Sequence, residues 1–136
     1  MNFESKIAIV VRDDLATWQK LNVTAFLTSG LVGANDDLLG EPYMDADGNA
    51  YHALAIQPMI VLAADAATIR KIYERAMTRN ARLSLYTHEM FSTGHDAANR
   101  AAVAQFHAAD LNVVGLALRE ERKLVDKITK GARMHP

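Results

Sequence analysis

The chain of 136 residues contains no cysteine. That excludes disulfides, thiolate metal sites and a cysteine nucleophile. It also lacks a surplus of either charge: Lys and Arg number 15, Asp and Glu 16, for a net charge of -1 and a sequence pI near 6.5. A protein that holds nucleic acid through a bulk positive field needs the opposite balance, which leaves only a local basic patch for that role. Long hydrophobic runs are missing as well. The apolar stretches Ile7–Val11 and Met59–Ala64 are too short to span a bilayer, and the polar opening Met1-Asn2-Phe3-Glu4-Ser5 does not read as a signal peptide. These absences lead to the expectation of a cytoplasmic protein without membrane contact.

Half of the residues are hydrophobic and 23% are charged, enough apolar material for a proper core. At this length one domain is expected over residues 1–136. Lys6-Ile7-Ala8-Ile9-Val10-Val11 reads as a buried strand, apolar on both faces and so interior to a covered sheet. It ends at once in Arg12-Asp13-Asp14-Leu15 and feeds a helix over Thr17–Ser29, with Asp14 or Thr17 as its cap and Gly30 at its C′ position. A strand that stops in charge and opens a helix puts polar groups at the carboxyl edge of a sheet, where α/β folds build their sites.

Residues 31–57 read as irregular, with a small hairpin over 43–51 turning at Asp47-Gly48. Pro58–Ala63 is the second buried strand. Asp65 caps an amphipathic helix whose Ile69, Ile72, Tyr73 and Ala76 share one face and which ends near Asn80. Ala81–Tyr86 alternates polar and apolar, the mark of a half-exposed strand near an edge. Thr87–Gly94 reads as a polar loop and Asp96–Phe106 as an alanine-rich helix. Asn112–Leu118 is a further buried strand, and a last helix over Glu120–Lys130 turns Leu124, Val125 and Ile128 inward and stops at Gly131. The alternation of strands and helices predicts a three-layer α/β/α sandwich around a four-stranded, mainly parallel sheet.

Several motifs are close but incomplete. Asp45-Ala46-Asp47-Gly48-Asn49 starts like a calcium loop, yet Ile56 stands at the twelfth position and Ala50 at the sixth. His88, Glu89, His95 and Asp96 are metal-ligand types without a zinc-protease spacing, and no metal is expected. Gly30-Leu31-Val32-Gly33 follows a helix instead of opening one, so it is no dinucleotide fingerprint, and no cofactor is expected. Ser92 and Thr93 stand in no nucleophile elbow.

Three stretches resemble the type II peptidyl-tRNA hydrolase superfamily. They are Lys6–Leu15 with Lys20 in the helix after it, Met59–Tyr86 closing in Ser84-Leu85-Tyr86, and Val113–Gly131 with Leu124-Val125-Asp126-Lys127-Ile128-Thr129. Together they cover more than half of the chain in the same order as in that superfamily. Trp18–Phe26 is similar to the signature of an uncharacterised bacterial branch of it. The resemblance implies a four-stranded mixed sheet with one antiparallel strand, a homodimer, and a site built by the first helix and the loop after the third strand. The hydrolases carry a Gly-Lys pair followed by Ala-Ala-Gln-x-x-His-Ala. Here Gln19-Lys20 and Thr24-Ala25-Phe26-Leu27-Thr28-Ser29 stand instead. Their Asp-Ala-Gly-x-Thr-Gln aligns with His88-Glu89-Met90-Phe91-Ser92-Thr93, so Lys20 carries over, His88 takes the aspartate position and Thr93 matches approximately. The segment between Gly94 and Leu111 reads as an insertion able to cover the cleft.

The candidate chemistry follows from these positions. Lys20 can neutralise an anion or an oxyanion, or be an ordinary solvated helix lysine. His88 can act as a base near neutral pH if a carboxylate orients it. Its neighbour Glu89 points elsewhere on an extended chain, which makes Asp13, Asp14 or a group on the inserted helix the better partner, and a plain surface-loop histidine is the other reading. Asn22 and Thr24 lie two apart on a helix, so one of them faces the site and the other packs. Three readings result. The first is a binding module for a small polar or anionic ligand, using Arg12, Asp13, Lys20, Asn22, His88, Glu89 and Thr93. The second is an active hydrolase of peptidyl-tRNA or a related ester, with Lys20 and His88 as catalytic groups. The third is a purely structural homodimer. The missing hydrolase motif and the acidic balance favour the first, with tRNA the less favoured partner.

Overall fold

The strand expected over residues 6–12 forms the centre of the protein. In the computed structural model, which describes residues 3–136, the elements in chain order are β1 (Ser5–Arg12), α1 (Thr17–Ala34), β2 (Tyr43–Met44), β3 (Ala50–Tyr51), β4 (Met59–Ala64), α2 (Ala66–Thr78), β5 (Ser84–Thr87), α3 (Asp96–Ala104), β6 (Val113–Glu121), α4 (Arg122–Ile128) and β7 (Arg133–Met134). Short 3-10 turns occupy His88–Ser92 and Ala108–Asp110. The Met1-Asn2 start of the polar opening lies outside the described residues. Among those residues no helix is long and apolar enough to cross a membrane.

The sheet runs β5-β6-β1-β4-β7. The expectation of four mainly parallel strands is corrected on two counts: there are five strands, and the pairing is mostly antiparallel. Only β1 and β4 pair in parallel; β1–β6, β5–β6 and β4–β7 are antiparallel. The cause lies in the connection after β5. A parallel crossover must carry the chain back along the sheet. Here α3 is short, has no buried residue, and does not lie across the sheet; Thr87 at the end of β5 pairs with Val113 at the start of β6. The link is therefore a wide hairpin. The fifth strand arises because Gly131, at φ +100°, reverses the chain after α4 and sets Arg133 and Met134 on the free edge of β4. Two residues leave no period to read.

Alternation along β1 sends side chains to two cores. Ile7, Ile9 and Val11 pack against Val23, Leu27 and Leu31 of α1. Ala8 and Val10 meet Ile69 and Ile72 of α2 and Val125 and Ile128 of α4. The cap of α2 is as expected: the Thr68 N–H donates to Asp65 Oδ1 at 2.7 Å. The start of α1 is not. Asp14 accepts from Arg12 Nε at 2.7 Å, and the first free amide, Ala16 N–H, donates to Gln19 Oε1 at 2.9 Å. The helix also runs through Gly30 to Ala34 instead of ending there. In the 43–51 hairpin, hydrogen bonds from the Asn49 amide, the Tyr51 hydroxyl and the Asn49 N–H hold the Asp45 carboxyl down at about 2.

Two glycines let α1 lie close on the sheet. A Cβ on Gly30 would collide with Ser84 Oγ, and one on Gly115 would lie 2.5 Å from Val23 Cγ1 and 3.0 Å from Leu27 Cδ1. Overpacking of this kind costs about 1–3 kcal/mol. Gly115→Ala is therefore expected to lower the unfolding free energy by that much, read as a lower urea midpoint at unchanged slope, and a midpoint equal to the parent's would show that α1 has room to move off β6.

Candidate functional site

Where α1 crosses the β5 edge, the chain builds a groove. Trp18, Asn22 and Phe26 recur every four residues and so form one stripe of α1, beside the stripe of Val23, Leu27 and Leu31 that is buried on the sheet. Ser84 and Tyr86, alternate residues of β5, supply the floor. Beyond the sheet edge the 3-10 turn returns Met90 and Phe91 towards α1, and Thr93, Asn99 and Val103 form the opposite wall. The groove, open to solvent on one side, has a volume of about 780 Å³. That lies within the range of small-molecule sites.

Aromatic rings dominate the walls. Phe91 stands edge-on to Trp18 at 5.9 Å and tilts against Tyr86 at 5.1 Å, and Phe26 lies 6.0 Å from Tyr86. Trp18 and Phe26 are 59% and 55% exposed, unusual for rings of that size. Tyr86 is 6% exposed, and burial pushes its phenol above the ordinary value of 10. The Thr93 hydroxyl is shared between Met90 O at 2.9 Å and Asn99 Oδ1, which ties the loop to α3. Beside the groove, at the end of β5, the Thr87 hydroxyl is buried without a hydrogen-bond partner among the described residues.

Of the candidate binding and catalytic residues read from the sequence, Asn22 and Thr93 line this groove and Arg12, Asp13, Lys20, His88 and Glu89 do not; His95 and Asp96, noted there only as metal-ligand types, also line it. Asn22 faces it, while Thr24 packs with its hydroxyl donating to Lys20 O at 2.8 Å. Lys20 is two positions from Asn22 and so lies well round the helix from the Trp18 stripe; its ammonium has no partner among the described residues. His88 is exposed at the rim, with its ring edge-on to Phe91 at 5.9 Å and its N–H donating to Asn112 O at 3.0 Å. Glu89, next to it, is half-buried and outside the lining.

Arg12 and Asp13 belong to the carboxyl end of β1. Arg12 donates to Asp14 and to Asn112 Oδ1, both at 2.7 Å, and borders a smaller hollow of about 360 Å³ at the start of α2. Asp13 accepts from Arg133 at 3.0 Å. Among the described residues no three His, Asp or Glu side chains gather to hold a metal ion.

The model of the protein family described as "Protein of unknown function (DUF2000)" matches residues 5–136, from β1 through β7. The chain belongs to the DUF2000 family. Among solved structures, this DUF2000 chain is similar to the protein of unknown function Atu0240 from Agrobacterium tumefaciens str. C58. The two are 55% identical, with a TM-score of 0.97 over 99% of this chain and 100% of that one. No curated protein matches.

The residues that motif reading passes over in this DUF2000 chain are the aromatic ones: Trp18, Phe26, Tyr86 and Phe91. A signal for them exists. Over 18 residues α1 carries a single charge, Lys20, and sets Trp18, Leu21 and Phe26 outside its buried Val23–Leu27–Leu31 stripe, more large apolar side chains than one core face accounts for.

The Tyr86 phenol gives a direct check. Its folded value is raised, so its ionisation costs stability only as pH climbs above 10; below that the contribution is intact. Absorbance titration is expected to show a phenol ionising late, and Tyr86→Phe to remove it. Tyr51, raised by its bond to Asp45, accounts for a second late phenol.

Proposed function

We propose that this DUF2000 chain is a small-ligand-binding, diverged member of the type II peptidyl-tRNA hydrolase-like superfamily, working without that superfamily's usual catalytic motif. The observation that carries the reading is the aromatic-walled cavity of about 780 Å³ between α1, β5 and the segment after β5. Its place is the one the resemblance implies for a site, first helix against the loop after the third long strand. The packing of α1 on one face of the sheet and of α2 and α4 on the other supports the three-layer arrangement of that superfamily. Asn22 and Thr93 supply polar contacts, whereas Arg12 and Asp13 are engaged with Asp14, Asn112 and Arg133. The net charge of -1 keeps tRNA the less favoured partner.

A peptidyl-tRNA hydrolysis assay tests this reading against the active-hydrolase alternative. What favours the alternative is the uncommitted ammonium of Lys20, the motif position carried over from the hydrolases, together with the exposed imidazole of His88. The expected result is no turnover from folded protein. Turnover that Lys20→Ala abolishes would replace the binding reading with the catalytic one.

We also propose a cytoplasmic homodimer. The segment between α1 and β4 leaves Leu39, Met44, Leu54 and Ile56 about half exposed or more, apolar surface that a second copy could cover. Sedimentation velocity is expected to give twice the 15.0 kDa chain mass, and the double variant Met44→Glu with Leu54→Glu to give a single chain. A monomeric parent protein refutes the dimer.

A further inference from the structure

Resting on the small-ligand reading, we infer that the groove between α1 and β5 takes a neutral, planar heteroaromatic molecule with a hydrogen-bonding edge, and that anions are the wrong class of ligand for it.

Charge is the first argument. The groove's fixed charges, Asp96 and Arg100, stand one helical turn apart on α3 and pair with each other, and both are exposed. Lys20, Glu89 and Arg12 lie outside the lining. An anion entering the groove would give up water for apolar walls; the lining's one guanidinium, Arg100, is already paired with Asp96, and the lining imidazole of His95 accepts the Ala98 N–H through Nδ1 at 3.2 Å.

Shape and ring chemistry are the second. Trp18 and Phe26 stand on the same stripe of α1 with much of their surfaces open, and Phe91 and Tyr86 lie across from them. Rings held at these spacings favour stacked or edge-on contact with another flat ring system. Nothing else among the described residues covers them.

Hydrogen-bonding capacity is the third. Asn22, Ser84 and Tyr86 line the groove, and their side chains make no hydrogen bond within the described residues, leaving them open to water or a ligand. Tyr86 is more than nine-tenths buried as a residue while its unpaired hydroxyl keeps solvent access, so a ligand's polar edge would take the place of water there. An amide with two hydroxyls offers both donors and acceptors and no net charge. That set matches the alternating edge of a lactam or imide ring, whose own donors and acceptors are neutral.

The chain has one tryptophan, so an isotope-labelled sample shows a single indole N–H resonance that reports on this groove. The probes are quinazoline-2,4-dione as the neutral heteroaromatic, naphthalene-2-carboxylate as the aromatic anion, and inorganic phosphate as the simple anion. The dione is expected to shift the Trp18 resonance saturably at concentrations at least about tenfold below those naphthalene-2-carboxylate needs, with phosphate silent. Tyr86→Phe and, on the exposed side of α1, Asn22→Ala are each expected to weaken the dione about 3- to 10-fold, the range of one neutral hydrogen bond.

Preference for the carboxylate or for phosphate overturns the neutral-ligand inference and leaves the binding reading standing. An equal response to all aromatic probes, unchanged by either variant, overturns the recognised edge. A Trp18 resonance that moves on dilution of the protein alone assigns the groove to a second copy and overturns the proposal. If none of the three probes acts, the inference fails. A screen of chemically varied fragments read on the same resonance then decides the binding reading separately, since the absence of any hit defeats it too.

Discussion

The close approach of α1 to β5 and β6 is the constraint on which the rest of the molecule depends. It is made possible by missing atoms: no side chain at Gly115 opposite Val23 and Leu27, and none at Gly30 opposite Ser84. With the helix pressed to the sheet at these points, one stripe of α1 is spent on the core and the neighbouring stripe is left standing over the sheet edge. The groove is the space under that second stripe. A helix held further out would bury neither stripe well and would have no fixed distance from Tyr86 or Phe91. The aromatic contacts at 5–6 Å therefore depend on two glycines, Gly115 in the core and Gly30 against Ser84 at the groove itself.

The antiparallel return of β6 has a comparable reach. Because the chain after β5 turns back at the same end of the sheet, the segment from Met90 to Ala104 gathers around the groove, and Ala108 to Asn112 then lead to the start of α2, where Arg70 donates to Ala108 O and Leu111 O. Had the link been a crossover, α3 would have covered a sheet face and the β5 edge would lie bare. Instead α3, with no buried residue of its own, serves as an outer wall held to the loop through Thr93 and Asn99. The covalent path and the site are thus one feature. The carboxyl end of β1, where charge accumulates in sequence, is a different place. Its residues largely neutralise one another through Arg12 with Asp14 and Asp13 with Arg133. Pairs at that degree of exposure contribute little to stability and serve mainly to order the strand end.

Much of the architecture is legible from residue order. The central apolar strand, the Asp65 cap with its Ile69–Ile72–Ala76 face, the edge position of the strand ending at Tyr86, the hairpin at Asp47-Gly48 and the stop at Gly131 all follow from local rules. Strand direction does not, because a strand's side-chain pattern is the same whichever way its neighbour runs. Helix ends are only partly legible. Gly30 looks like a terminator by propensity, but contact with β5 outweighs the modest cost of glycine within a helix.

The site shows the same division. Sequence by itself determined the composition of the molecule's surfaces: a nearly uncharged first helix, polar loops after the strands, no thiol and no metal motif. It also put Asn22 and Thr93 among the candidates. Tertiary structure decided which of those groups share a space. Lys20 and Asn22 are two residues apart and face opposite ways on α1, while Trp18 and Phe91 are far apart in sequence and meet edge to face. Local chemistry is written in the order of residues because it depends on near neighbours. A binding site is a relation between distant segments, and only the packing of α1 on the sheet brings those segments within reach of one ligand.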